Sequence, residues 1–323
     1  MTDKNTNNNQ SDRDSRPQSS AEIKTDFDPM TTTGELVAIR HAMLSPGDII
    51  ANKFEILGLL GEGGMGAVYK AKEFGTNNTH VAIKLISSDF AKHPHALASL
   101  KNEAEKALLL KHPNIVNVFE YGEDNHLIYY AMELLEGSLL SEFILQKPSS
   151  KSLSLDQKYQ IILQIANGLA YAHDEELVHL DLKPANIFIT TSLQAKIIDF
   201  GISQYIPNPN SSKSIYNKER FDPSLLGAIT LPYASPQMIE VMGSHPSDDI
   251  YGLGVLTCEL LTGKHPFDNK DAKTAYKKRM KPKLEKVPTS ELKEFLKSSL
   301  DFDRQHRIQN GGEFFSRLNL AIS

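Results

Sequence analysis

Two kinds of periodicity follow one another along this chain, and their order restricts the folds open to it. From "DIIANKFEILGLLGEGGMGAVYKAKEFG" through "HVAIKLIS", short alternating apolar runs are broken by glycines, which predicts a meander of three antiparallel strands. The stretch "HALASLKNEAEKALLLKH" then repeats apolar residues at three- and four-residue intervals, as an amphipathic helix does, and ends at "HPN". After it, "IVNVFEYGEDNHLIYYAMELLEG" reads as two more strands joined by a polar turn. From "SLDQKYQIILQIANGLAYAHDEE" onward helical periodicity dominates, with later helices expected near 248–263, 290–299 and 310–320. The expected fold class is α+β, a small antiparallel-sheet lobe with one helix followed by a larger, mainly helical lobe.

A chain of 323 residues that is 40% apolar can bury a sizeable core. The 35 basic and 40 acidic residues leave a formal charge of −5, with no block of like charge long enough to act as a nucleic-acid or anionic-membrane tail. Nucleic acid is therefore not an expected partner. Cys258 sits alone in the apolar run "GVLTCELLTG", where it reads as a small buried hydrophobe rather than a nucleophile or metal ligand. The N-terminus has neither a basic patch nor an apolar core of a leader, and no run approaches the roughly 18 apolar residues a membrane span requires. Residues 1 to about 45 are rich in Asn, Ser, Thr, Asp and Gln, cannot offset the entropy of ordering by burial, and are expected to be a disordered tail. Residues 203–227, with three prolines and several serines, including Ser211, Ser212, Ser214 and Ser224, read as a long loop.

Gly61, Gly63 and Gly66 in "LGEGGMGAV" form a G-x-G-x-x-G pattern that also marks dinucleotide-binding folds. In those folds the last glycine opens a helix, whereas "AVYKAKE" alternates like a strand and puts these glycines at a hairpin tip. Backbone N–H groups of such a tip can approach phosphates closely because no Cβ stands in the way. Lys84 lies inside the apolar strand "VAIK", where an unpaired ammonium is costly, so it needs anions. Glu103 and Glu105 on the following helix are both candidates, with phosphates taking the remaining protons.

Further on, "VHLDLKPANIFIT" sets an Asp, a Lys and an Asn between two apolar segments, and "DFG" follows at 199–201. With these motifs in order over about residues 54–321, the chain resembles a eukaryotic-type serine/threonine protein kinase catalytic domain, most like bacterial members. The resemblance implies a bilobal fold with a lobe at about 54–133 and another at about 138–321. It implies that Leu60, Gly61, Glu62, Gly63, Gly64, Met65, Gly66 and Ala67 cover the nucleotide. Val68 and Ala82 would lie against the adenine, with Met132 as gatekeeper and Glu133 and Leu135 on the linker that pairs with the base. Lys84 and its helix partner, at this placement Glu103, would position the phosphates. Asp181 would orient the acceptor hydroxyl, Lys183 would contact the γ-phosphate, and Asn186 and Asp199 would hold magnesium, whose preference for hard oxygen donors they suit. Thr230 would hydrogen-bond near Asp181, and Asp249 would hold the backbone of the catalytic loop.

The implied cofactors are ATP and Mg2+, and the implied partners are proteins with Ser or Thr acceptors, since "DLKPAN" is similar to the serine/threonine form. Bacterial relatives often carry an anchor after this domain, and the chain's end at its last predicted helix leads to the expectation of a cytoplasmic kinase. Two departures stand out. Leu180 replaces the Arg that family members use to gather a phosphate on the activation loop, so control by such a phosphate is not expected at residue 180. Gln237 replaces the Glu that pairs with the residue at Arg307, so a neutral hydrogen bond should replace an ion pair. A pseudokinase, or a small-molecule kinase sharing the Asp and Asn logic, are the rival readings.

Overall fold

Alternation along the first strands decides which side chains meet the core and which meet the space beneath the sheet. The computed structural model describes residues 44–63, 66–77, 79–86, 107–124, 127–145, 152–200, 230–240 and 242–323. Six antiparallel strands, β1 (Ile49–Ile50), β2 (Phe54–Gly63), β3 (Gly66–Glu73), β4 (His80–Ile86), β5 (Val118–Asp124) and β6 (Leu127–Glu133), lie in the order β1-β2-β3-β4-β6-β5. On one face, Ala67, Tyr69 and Ala71 of β3 pack with Val81, Ile83 and Leu85 of β4 and with Tyr129 and Ala131 of β6. The period of two therefore turns Val68, Ala82, Lys84 and Met132 to the opposite face. Register keeps them together, with Val68 opposite Lys84 and Ala82 opposite Met132. The three-strand meander and the next two strands appear as the alternation predicts. The helix expected at 95–112 lies outside the described residues except at its end; the 203–227 loop lies wholly outside them, and the tail expected at 1 to about 45 does so except for residues 44 and 45.

Below the sheet, β7 (Gly137–Leu139), β8 (Ile187–Thr190) and β9 (Ala195–Ile197) form a second, three-stranded sheet. The α-helices lying wholly within the described residues are α1 (Leu140–Leu145), α2 (Leu155–Asp174), α3 (Pro236–Ile239), α4 (Pro246–Thr262), α5 (Ala272–Lys277), α6 (Ser290–Ser299) and α7 (Gly311–Ile322). Sequence explains the ends of the long ones. Ser154 and Gln157 make a reciprocal capping box at the start of α2, and Gly263 at φ 74° closes α4. Every residue of α4 from Ser247 to Leu260 is buried, which makes it the central post of the lobe. A Cβ on Gly311 would stand 2.3 Å from the backbone N of Ala170, so glycine there lets α7 lie directly on α2. No described helix is long and apolar enough to cross a membrane.

Candidate active site

A cavity of about 600 Å³ opens between the free face of the first sheet and the loop 178–186, within the size range of small-molecule sites. Leu60, Gly61, Glu62, Gly66, Val68, Ala82, Lys84, Met132 and Glu133 line it from the sheet, and Leu135 from the segment that follows β6. Asp181, Lys183, Asn186 and Asp199 line it from below. At Gly66, φ is +143° and a Cβ would come within 1.8 Å of the Leu85 carbonyl oxygen, so any side chain would push β3 off β4. Around the corresponding position of Gly61 there is no atom within 4 Å, which leaves the hairpin open to close approach.

Lys84 is buried, and its Nζ lies 2.7 Å from Asp199 Oδ1. Burial alone would push the Asp199 carboxyl up, but the charge and hydrogen bond of Lys84 overcome it and hold the group below the usual carboxylate range. Asp199 is thus an anion facing the cavity, at φ +65°, a conformation that a non-glycine residue adopts at a cost.

Opposite it, Asp181 is buried and densely bonded. Its Oδ2 accepts from Lys183 Nζ at 2.6 Å and Asn186 Nδ2 at 3.0 Å, while Oδ1 accepts from the Thr230 backbone N–H at 3.2 Å. Lys183 Nζ also donates to Thr230 Oγ1 at 2.6 Å. Asn186 Nδ2 further donates to the Asp181 carbonyl at 2.8 Å. Among the described residues the amide oxygen of Asn186 accepts no hydrogen bond, so a hard oxygen donor is left over in the cavity that Asp199 also lines. The arrangement offers two lysines for anionic oxygens, two oxygen donors suited to a hard cation, and a carboxylate held in one orientation.

The central helix fixes the loop that carries Asp181. Asp249 Oδ2 accepts from the backbone N–H of His179 at 2.8 Å and Oδ1 from that of Leu180 at 2.7 Å. His173 Nδ1 accepts from the Gly311 N–H, so its Nε2 carries the proton and donates to Asp249 Oδ2 at 3.0 Å. His179 is anchored in the same way: Nδ1 accepts from the Asp181 N–H and Nε2 donates to the Ile198 carbonyl, while its ring meets Phe200 edge-on. One ring thereby ties the backbone at Asp181 to the backbone next to Asp199.

Asp248, one residue earlier, serves a different corner. It accepts from Ser235 Oγ at 2.7 Å and Arg304 at 2.8 Å, and lies 3.5 Å from Arg307. Arg307 is buried, and burial pushes it down to about 10 against the pull of Asp248. Its Nη2 donates to Gln237 Oε1 at 2.8 Å, and Gln237 Nε2 donates to the Phe302 carbonyl at 2.8 Å. The neutral contact expected from the sequence is present, and the compensating charge comes from Asp248. Gln237→Ala should lower unfolding free energy by about 1–3 kcal/mol, because it removes both amide hydrogen bonds and leaves Arg307 Nη2 and the Phe302 carbonyl only their mutual contact at 3.4 Å; urea denaturation checks this, and an unchanged midpoint would mean that the mutual contact replaces what is lost.

The structure gathers most of the expected site residues around one cavity, with exceptions. Ala67 is buried in the core on the other face of β3, because the alternation that exposes Val68 to the cavity turns its neighbour away. Gly63 ends β2 at the hairpin tip. Gly64, Met65 and Glu103 lie outside the described residues. Val116, Phe188 and Ile198 also line the cavity and were not singled out from sequence. "IFIT" held a signal for one of them: Ile187 and Ile189 are buried, so Phe188 between them faces the other way. Glu133 turns its carboxylate to Lys196 Nζ and the Asn117 N–H, both at 2.7 Å, which fastens the connecting segment to β9.

Comparison with known proteins agrees with this geometry. The family described as protein kinase domain matches residues 54–311. Serine/threonine-protein kinase PrkC of Bacillus subtilis is 35% identical over 226 residues, covering 70% of this chain and 33% of that protein. Serine/threonine-protein kinase PknA of Mycobacterium tuberculosis is 29% identical, covering 83% of this chain and 61% of its own length. The chain thus spans about a third of the first of these relatives and under two thirds of the second. In fold, the crystal structure of the M. tuberculosis PknI kinase domain superposes with a TM-score of 0.69 at 24% identity, over 87% of this chain and 99% of the other. With the match extending over most of its length, this chain belongs to the protein kinase domain family.

Proposed function

We propose that the chain is a serine/threonine protein kinase that transfers the γ-phosphate of ATP to Ser or Thr hydroxyls of proteins, using magnesium, through a domain spanning about residues 54–321. The family uses ATP and a divalent metal in general, and several relatives are named serine/threonine-protein kinases. The observation that carries the reading is the convergence, on one cavity, of the Lys84–Asp199 pair and the Asp181–Lys183–Asn186–Thr230 network. A cytoplasmic setting belongs to the same proposal, since ATP and protein acceptors meet there.

In this reading the β- and γ-phosphate chain lies under the glycine hairpin against Lys84, and the base lies between Val68 and Ala82 above and Phe188 below. Asp181 receives the hydrogen bond of the acceptor hydroxyl, orients its oxygen toward the γ-phosphorus and takes its proton as the new ester bond forms; the bond to the β-phosphate oxygen breaks at the same time, leaving ADP. Lys183 stabilises the charge on the moving group. Asn186 and Asp199 would hold the magnesium, which supplies neutralisation of phosphate charge. No group of three or more His, Cys, Asp or Glu able to hold a metal occurs among the described residues, so phosphate and water would complete the shell.

Incubation of the purified protein with ATP and magnesium and an acceptor protein, followed by mass spectrometry beside an Asp181→Asn control, tests the proposal. Phosphoserine or phosphothreonine formed by the wild type alone is expected; its absence in both would overturn the reading. Lys84→Ala should cut phosphate transfer while the protein stays folded by circular dichroism, and a fully active variant would assign the role to another lysine.

A further inference from the structure

Charge is unevenly distributed along the second lobe. Residues 264–297 contain eleven Lys and Arg against five Asp and Glu, a net of +6 in a chain whose total is −5, so the remainder carries −11. The densest part, "KKRMKPKLEK" at 277–286, has six basic residues and one acidic. Lys277, Lys278, Arg279, Lys281 and Lys286 are exposed, and among the described residues none of them forms an ion pair. Of the five acids in 264–297, three are engaged elsewhere, which leaves Glu285 inside the run and Glu291, which accepts from Ser290 Oγ. Asp268 pairs with Lys283 at 2.7 Å, Glu294 with Lys297 at 2.6 Å, and Asp271 caps α5 by accepting from Thr274 N and Oγ1. Tyr276, 65% exposed, stands beside the basic run with its ring braced edge-on against Phe302 at 5.7 Å.

Scattered surface lysines normally mean only a hydrated face, with acids interspersed to balance them. Here the balance is missing over a contiguous stretch, and the stretch has a particular neighbour. Helix α5, which leads into it, packs on the turn Leu231–Tyr233 and on α3. At its base, His265 Nε2 donates to the Pro232 carbonyl at 3.0 Å, its Nδ1 being occupied by the N–H groups of Phe267 and Asn269. That turn follows Thr230, which bonds Asp181 and Lys183. The basic face is therefore fastened to the segment on which an acceptor hydroxyl must arrive.

We propose that the face formed by residues 277–286 with Tyr276 docks an acidic segment of the acceptor protein, apart from its phosphorylated residue, and so selects substrates by charge. This rests on the kinase reading above. A protein partner is favoured over nucleic acid or an anionic membrane because the face adjoins the acceptor turn, and a single aromatic among the charges makes a poor platform for stacked bases. The charges are solvent-exposed, so their effect should lie in encounter and acceptor KM and should fade with salt.

The test uses two serine-bearing peptides, one with a polyglutamate segment and one with polyglutamine in its place. Fluorescence anisotropy without ATP should show the glutamate peptide binding about tenfold tighter at low ionic strength, and phosphorylation should show about a tenfold lower KM with similar kcat. Lys277→Glu, Lys278→Glu and Arg279→Glu combined should erase both differences with Tm unmoved. Equal binding of the two peptides, an unaffected triple variant, or tighter binding of duplex DNA or phosphatidylserine vesicles at the same residues would overturn the docking proposal. If neither peptide is phosphorylated the kinase reading fails, and the anisotropy still decides whether the face takes an acidic peptide.

Discussion

Asp181→Asn is expected to slow phosphate transfer by about a hundredfold to ten-thousandfold while leaving ATP affinity nearly intact. The amide keeps the size of the carboxylate but cannot take a proton. It also cannot satisfy its neighbours, since Oδ2 faces two donors, Lys183 Nζ and Asn186 Nδ2, and Oδ1 faces a third, the Thr230 N–H. Either orientation of the amide sets a donor against a donor, so a loss of about 1–3 kcal/mol in stability should accompany the kinetic loss. Single-turnover kinetics at a temperature where both proteins are folded separates the two effects. A variant with unchanged rate would remove Asp181 from the chemistry, and one with reduced rate and weakened ATP binding would point to collapse of the network instead.

That network also shows what a linear reading of the chain can and cannot reach. Lys84 was legible because a lysine in an apolar strand demands an anion, and period-two alternation fixes which face it takes. The same alternation, applied one residue further, separates Val68 from Ala67, which an extended loop motif had grouped with it. The long helices announced themselves through caps and spacing, as at Ser154 and Gln157. The second sheet did not, because strands such as Gly137–Leu139 and Ala195–Ile197 are too short to display a period. Nor do α1 and α5, of six residues each, complete two helical turns.

Adjacent aspartates illustrate the remaining gap. In sequence, Asp248 and Asp249 are equally good as first-turn carboxylates favoured by the helix dipole. In space they diverge. Asp249 accepts from backbone 69 and 70 residues away and holds the loop that carries Asp181, whereas Asp248 balances two arginines and a serine. Helix pattern alone does not tell them apart; the family resemblance points to Asp249, and the packing of α4 against the loop agrees, so close that a Cβ on Gly252 would stand 3.0 Å from the Leu182 carbonyl. Such closeness is a property of the assembled lobe, invisible to local pattern.

Leu180 is where the second large effect is expected. Its backbone sits at φ +64°, a region that costs a non-glycine residue about 1–2 kcal/mol. Two contacts hold it there: the N–H to Asp249 Oδ1 at 2.7 Å, and a buried side chain packed with Val178, Ala234 and Met238, flanked by Ile239. Ala234 directly follows the turn Leu231–Tyr233 and Met238 lies on α3, so this leucine clasps that segment to the loop carrying Asp181 by apolar contact. Family members with Arg at this position draw on a loop phosphate for such order; a clasp of hydrocarbon needs none. Leu180→Ala should therefore cost about 2–5 kcal/mol in urea unfolding and raise the acceptor KM, with the ATP KM little changed. Leu180→Gly removes one carbon more yet relieves the backbone, so it should be no worse than the alanine variant, and a much worse glycine variant would show that the strain estimate is misplaced. Phosphatase-treated wild type should keep its activity on acceptor protein. If treatment abolishes that activity, and Ser→Ala at one loop position does the same, then the clasp does not suffice and order comes from a phosphate that Leu180 itself cannot bind.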